Sequence, residues 1–156
     1  MKRARWYTNR AARRVRVGVS AGAVMLLFAP ASAVAQTSIL ANVELCNRVD
    51  RASPSAQIDG CTAVIKSENP TSRMLAVAHN NRGNAYAGRG DYDGAIGDYD
   101  EALKFVPNYP KALNNRGVAY QKKGEYDRAI KDFDLAIELE GDYARAFANR
   151  ADTYLY

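Results

Sequence analysis

The chain has 156 residues, 47% apolar and 25% charged, a composition that excludes a disordered polymer and suffices for one domain with its own core. Its formal net charge of +5 is misleading: seven basic residues (Lys2, Arg3, Arg5, Arg10, Arg13, Arg14 and Arg16) stand in the first sixteen positions, and no acidic residue precedes position 36. The other 15 basic residues face 17 acidic ones with no contiguous basic stripe, which disfavours nucleic acid as a partner.

The basic start leads into the apolar run Val17 to Ala29, then Pro30 and the small residues Ala31, Ser32, Ala33, Val34 and Ala35. This is the pattern of a secretory signal peptide over residues 1–35. An apolar run of about thirteen residues falls short of the roughly 20 that span a bilayer, so stable membrane insertion is not expected. Cleavage after Ala35, or after Ala33, would release a mature chain beginning at Gln36 or Val34 into the periplasm or the medium. The pair Arg13 and Arg14 leaves both the general secretory and the twin-arginine routes open, and no cysteine ends the run as a lipid anchor would require.

Residues 36–70 read as a helical hairpin. Ile39, Val43, Cys46 and Val49 share one helical face over residues 39–50, and Ile58, Cys61 and Ile65 share another over residues 54–67. Ser53 and Pro54 supply an N-cap and a first-turn proline for the second helix. Export would place Cys46 and Cys61 where disulfides persist, so a bridge between them is expected; the alternative is a pair of buried thiols. No metal site is expected, since the single histidine, His79, lies elsewhere.

From residue 71 to 156 a period of 34 residues governs the sequence. Asn81, Arg82, Gly83 and Tyr86 return as Asn115, Arg116, Gly117 and Tyr120, and again as Asn149, Arg150, Ala151 and Tyr154. Gly90, Tyr92, Ala95, Ile96, Asp98, Tyr99 and Ala102 return as Gly124, Tyr126, Ala129, Ile130, Asp132, Phe133 and Ala136. Small and apolar residues at three- and four-residue intervals make each unit two helices, broken at Gly90 and Gly124. Asp91 is a good N-cap for a second helix running to about Phe105, and Glu125 a poorer one. The units are 76–109, 110–143 and a partial third, 144–156. The third stops at Tyr156 inside its first helix and leaves Phe147, Tyr154, Leu155 and Tyr156 partly uncovered, as in a truncated chain or a surface completed by a partner.

The markers Gly83, Tyr86, Ala95, Tyr99, Ala102 and Pro107 resemble the tetratricopeptide-repeat family over Ala76 to Tyr156; Gly141 replaces the closing proline in the second unit. The resemblance implies an all-α fold, an α-solenoid of antiparallel helix hairpins whose first helices line a concave groove. Arginine at positions 82, 116 and 150, where the family usually has leucine, is similar to a subgroup of exported bacterial repeat proteins, which are generally scaffolds or adaptors.

The expected function is therefore an exported interaction module that holds a protein segment or peptide in the groove. Family geometry puts Asn80, Asn81, Asn84, Lys111, Asn114, Asn115, Arg145 and Asn149 on or near the concave face. Asn84, Asn115 and Arg145 match the clamp by which some family members grip an acidic chaperone tail, but Asn80 and Asn149 stand where that clamp has basic residues. The second reading of the asparagines is that they bond neighbouring helices. Arg82 is expected to pair with Asp98 and Arg116 with Asp132 at a common 16-residue offset; the alternative is exposed side chains that never meet. The alternative function is assembly through the uncovered C-terminal helix, including homo-oligomerisation. No catalytic constellation and no cofactor is expected: His79 reads as a packing residue, and Asp91, Asp93, Asp98, Asp100 and Glu101 as solvated acidic faces.

Overall fold

A computed structural model describes residues 31–47 and 53–156, with side chains from Ile39 onward. Seven helices account for most of the described residues: α1 (Ala31–Asn47), α2 (Pro54–Ile65), α3 (Ser72–Gly88), α4 (Tyr92–Phe105), α5 (Pro110–Lys122), α6 (Tyr126–Leu139) and α7 (Ala144–Thr153). The predicted signal peptide lies outside the described residues as far as Pro30, and so does the turn at residues 48–52. None of the described helices is long and apolar enough to cross a membrane.

Local chemistry sets the helix boundaries. Ser53, Thr71 and Asp91 cap α2, α3 and α4, their side-chain oxygens accepting from the backbone N–H of Ala56, Met74 and Gly94. Glu125 makes no such bond at the start of α6. Gly90 and Gly124 close α3 and α5 with φ of 80° and 77°, a left-handed conformation in which a β-carbon would be strained.

Successive helices pack as hairpins, α1 on α2, α3 on α4 and α5 on α6, and each hairpin packs on the next. The first helices also touch one another, α1 with α3, α3 with α5 and α5 with α7, whereas α2, α4 and α6 do not meet. The first helices therefore line the inner, tighter side of a curved solenoid, and the second helices its outer side.

Small residues let the helices close. Ala95, Ala102, Ala129 and Ala136 are fully buried, and the rings of Tyr99 and Phe133 lie over Gly83 and Gly117. A β-carbon at Gly83 would stand 2.7 Å from the Tyr99 ring, and one at Gly117 2.6 Å from that of Phe133. Gly60 plays the same part in the first hairpin, where a β-carbon would lie 2.7 Å from Leu45. There Cys46 and Cys61 are joined by a disulfide, with α-carbons 4.5 Å apart.

Candidate functional site, the inner face of the first helices

Two polar systems run across the units and decide which groups remain for a ligand. The first is built on arginine. Arg82 Nε and Nη2 donate to the two carboxylate oxygens of Asp98, both at 2.8 Å, and Arg116 makes the same paired contact with Asp132 at 2.8 and 2.7 Å. The third nitrogen of each guanidinium reaches back to the preceding hairpin: Nη1 of Arg82 donates to Thr62 at 3.0 Å, that of Arg116 to Asp100 at 2.6 Å and that of Arg150 to Asp134 at 2.6 Å. Asp100 is thus no part of a merely solvated acidic face, since α4 turns it toward α5. Asp93 likewise meets Lys123 at 2.6 Å.

Burial pushes the Asp98 carboxyl up, but hydrogen bonds from Arg82 and from the His79 ring outweigh it and hold the group below the ordinary carboxylate range. The hydrogen bond to Asp98 raises the Arg82 guanidinium, and that to Asp132 raises Arg116, so both arginines stay charged. His79 is buried, 2.9 Å from Asp98 through Nδ1 and stacked on Phe105. With every neighbour spoken for, it packs and bonds inside the unit. No group of three or more histidine, cysteine or acidic side chains among the described residues could hold a metal ion.

The second system is a relay of amides. Asn149 on α7 donates to Asn114 on α5 at 2.9 Å, Asn114 to Asn115 at 3.4 Å, and Asn115 to Asn80 on α3 at 3.0 Å. Asn80 donates in turn to Asn81 at 3.2 Å, and Asn81 to Asn47 on α1 at 3.0 Å. Asn114 and Asn80 are buried, 1% and 5% exposed, and stand between helices instead of opening onto the groove. This corrects their reading as ligand contacts: a buried amide must find its partners inside the protein, and the neighbouring first helix supplies them. Asn84 accepts from the Tyr99 hydroxyl at 2.8 Å, a bond between the two helices of its own unit.

Asn81, Asn115 and Asn149 are only half-buried. Each amide offers two N–H donors and two oxygen lone pairs, so a relay that uses one donor leaves every one of them a second N–H and at least one lone pair. Lys111 on α5 and Arg145 on α7 occupy equivalent places one period apart, are exposed, and make no ion pair among the described residues. The groups able to meet a ligand are thus the amides of Asn81, Asn115 and Asn149, the N–H donors of the half-buried Asn84, and the two cations, all along the first helices. Asn47 belongs to the same relay and went unrecognised in the sequence, although it precedes Asn81 by one period of 34. A cavity of about 550 Å³ is lined by Gln121 and Lys122 at the end of α5, Tyr126 at the start of α6, Asp152 of α7, and Leu155 and Tyr156 beyond it.

A profile of the family described as "TPR repeat" matches residues 83–124, and one described as "Tetratricopeptide repeat" matches residues 110–143. No curated protein matches the chain. Among solved structures, the chain is similar to the first TPR of Spaghetti (RPAP3) bound to the HSP90 peptide SRMEEVD, with a TM-score of 0.67 and 23% identity over 76% of this chain and 92% of that one. It is similar to the second TPR domain of human RPAP3 in complex with the HSP70 peptide SGPTIEEVD, at TM-score 0.67 and 21% identity over 77% and 98% of the two chains. The second TPR of Spaghetti, also bound to SRMEEVD, shares 32% identity over 53% of this chain and 77% of its own, at TM-score 0.52.

Proposed function

Because the chain is a tetratricopeptide-repeat protein, we propose that it is an exported scaffold whose inner face holds an extended peptide segment of a partner protein. The observation that carries this reading is the set of groups left over on that face. The half-buried Asn81, Asn115 and Asn149 each keep an N–H and a lone pair, and Lys111 and Arg145 have no carboxylate of their own among the described residues. An amide that both donates and accepts matches the backbone of an extended chain whatever its side chains, and the two cations favour an acidic residue or a terminal carboxylate. Similar structures hold peptides ending in Glu-Glu-Val-Asp. Here Asn80 is buried and Asn149 bonds Asn114, so the grip on such a tail lacks two basic groups and depends less on charge.

Export is part of the proposal. The leader pattern of residues 1–35 and the Cys46–Cys61 disulfide both suit an oxidising compartment such as the periplasm. N-terminal sequencing of exported protein should begin at Gln36 or Val34; an intact Met1 in that fraction would remove this part of the proposal. For the groove, peptides selected from a random display library on residues 36–156 should lose about tenfold or more in affinity when Lys111 and Arg145 are both changed to alanine. Selected peptides indifferent to that change would place binding elsewhere.

A further inference from the structure

The inner face changes character along its length. Asn47, Asn81, Asn115 and Asn149 recur every 34 residues on α1, α3, α5 and α7. The 3.0 Å hydrogen bond from Asn81 to Asn47 puts α1 in register with the other first helices, although it lacks their sequence markers. Four residues before each asparagine stand Val43, Val77, Lys111 and Arg145. Residues four apart share a helix face, so these form a second row beside the asparagines, and the row changes from two valines to two cations midway.

The valine end is hollow. Val43 and Cys46 of α1, Val64 of α2 and Met74, Val77 and Ala78 of α3 line a cavity of about 270 Å³, which Asn47 and Arg73 complete. Cys46, Val64 and Ala78 are buried, Val43 and Val77 are half-buried and Met74 is 37% exposed, so a packed apolar base opens to solvent. The disulfide from Cys46 to Cys61 ties α1 to α2 at that base. A second cavity, of about 190 Å³, shares Arg73 and Val77 with the first and extends past Val106 and Tyr109 to Pro110, the residue before Lys111. Apolar surface therefore leads from the seam of α1 and α3 toward the first cation.

We infer that this hollow is a specificity subsite for one aliphatic side chain of the bound segment, and that the segment carries an acidic residue at a set distance from it. The inference rests on the peptide-binding reading of the inner face and adds the class of sequence that fits. Charge fixes the occupant: no residue lining the two cavities is acidic, Arg73 borders both, and the row continues into Lys111 and Arg145. An aliphatic side chain leaves water for the valines at no polar cost, and the cations favour a carboxylate. Packed helix axes stand about 8–10 Å apart, which puts Lys111 about 12–15 Å and Arg145 about 20–25 Å from the seam. An extended chain at about 3.4 Å per residue covers those spans in about four and about seven residues. The fitting segment thus has leucine, isoleucine, valine or methionine about four to seven positions from an aspartate, a glutamate or a terminal carboxylate.

The probe is the tightest peptide from the display selection described for the groove, titrated into the mature chain by fluorescence anisotropy. Beside it run two variants of the peptide, one with its aliphatic residue changed to serine and one with its acidic residue changed to the amide. Each change should weaken binding about tenfold or more. In Val77→Gln the serine change should cost little and the amide change its full amount; with Lys111→Ala and Arg145→Ala together the two effects exchange. Met74→Gln, at an exposed side chain, gives the same comparison if Val77→Gln does not fold. Peptides that respond to the cations but have no aliphatic residue at that spacing would overturn the subsite and leave the groove reading standing. A serine cost that persists in Val77→Gln and Met74→Gln would do the same. Peptides indifferent to the cations and to Val77 would remove both. A stable dimer of the mature chain that Val77→Gln dissociates would make a second copy the occupant and overturn the inference.

Discussion

Arg116 Nη1 stands 2.6 Å from Asp100 of the preceding unit while its other edge grips Asp132 of its own. One side chain thus fixes the angle within a hairpin and the spacing between two hairpins. Asp132 is 4% exposed, so Arg116→Leu should strand a buried carboxylate and cost about 3 kcal/mol or more. Urea unfolding of Arg116→Leu and of Arg116→Leu with Asp132→Leu checks this. The double variant should recover part of the loss, and equal stability of wild type and single variant would show that the contact contributes nothing net.

The acid limb of stability should reflect Asp98. Its carboxyl is held below the ordinary range in the folded chain, so its contribution is full above the unfolded value of about 3.9 and is lost as pH falls through the lower folded value. Wild type should therefore exceed Asp98→Asn in Tm at neutral pH, and the gap should narrow as the pH is brought below about 4. A gap of constant size down to about pH 2 would assign the difference to packing instead of charge.

Truncating the relay should cost stability, whereas removing the exposed cations should not. Asn115→Ala leaves the oxygen of buried Asn80 without its donor and should cost about 1–3 kcal/mol in chemical denaturation. Lys111→Ala and Arg145→Ala should fall within about 0.5 kcal/mol of wild type, since both side chains are exposed and unpaired among the described residues. A large loss from either cation would place it in the framework.

Reducing the Cys46–Cys61 bridge opens a loop with a sequence separation of 15 residues, for which chain entropy gives about 3 kcal/mol. Hydrogen exchange before and after reduction should show the change first in α1 and α2, with α5 and α6 unaffected. Uniform loss of protection would mean that the solenoid unfolds as one unit.

Gly117→Ala tests how closely α5 and α6 approach. The added carbon meets a Phe133 ring that is 0% exposed, so the cost should be about 1–3 kcal/mol, most of it recovered by adding Phe133→Leu. A raised Tm for Gly117→Ala alone would mean that the Phe133 ring yields to the added carbon without cost.

The helix pairs were legible in the sequence because the 34-residue period repeats every residue that sets an approach distance, from Gly83 with Tyr99 to Gly117 with Phe133. The partners of Arg82 and Arg116 could be read in the same way, as each lies at a fixed offset within one unit. Contacts between units were harder. Asp100 sits among acidic neighbours on an outer helix, and only the rotation of α5 against α4 brings Arg116 to it. The asparagines carried an ambiguity of the same kind, since an amide serves a peptide or an adjacent helix equally well and one or two residues of burial decide between them. Asn47 was hidden because the hairpin around it lacks the glycine and aromatic markers, so nothing in its own neighbourhood points to the relay.

The relay also bears on how such a chain can lengthen over evolution. Every middle unit receives a hydrogen bond from the following first helix and gives one to the preceding, through the same two adjacent asparagines. A unit duplicated whole brings a matching donor and acceptor to both of its boundaries, and its arginine and paired aspartates arrive in register with it. Tandem duplication in steps of 34 residues therefore leaves no buried amide or carboxylate unmatched. An insertion of one residue would rotate the next asparagine pair by about 100° around its helix and break both joints at once.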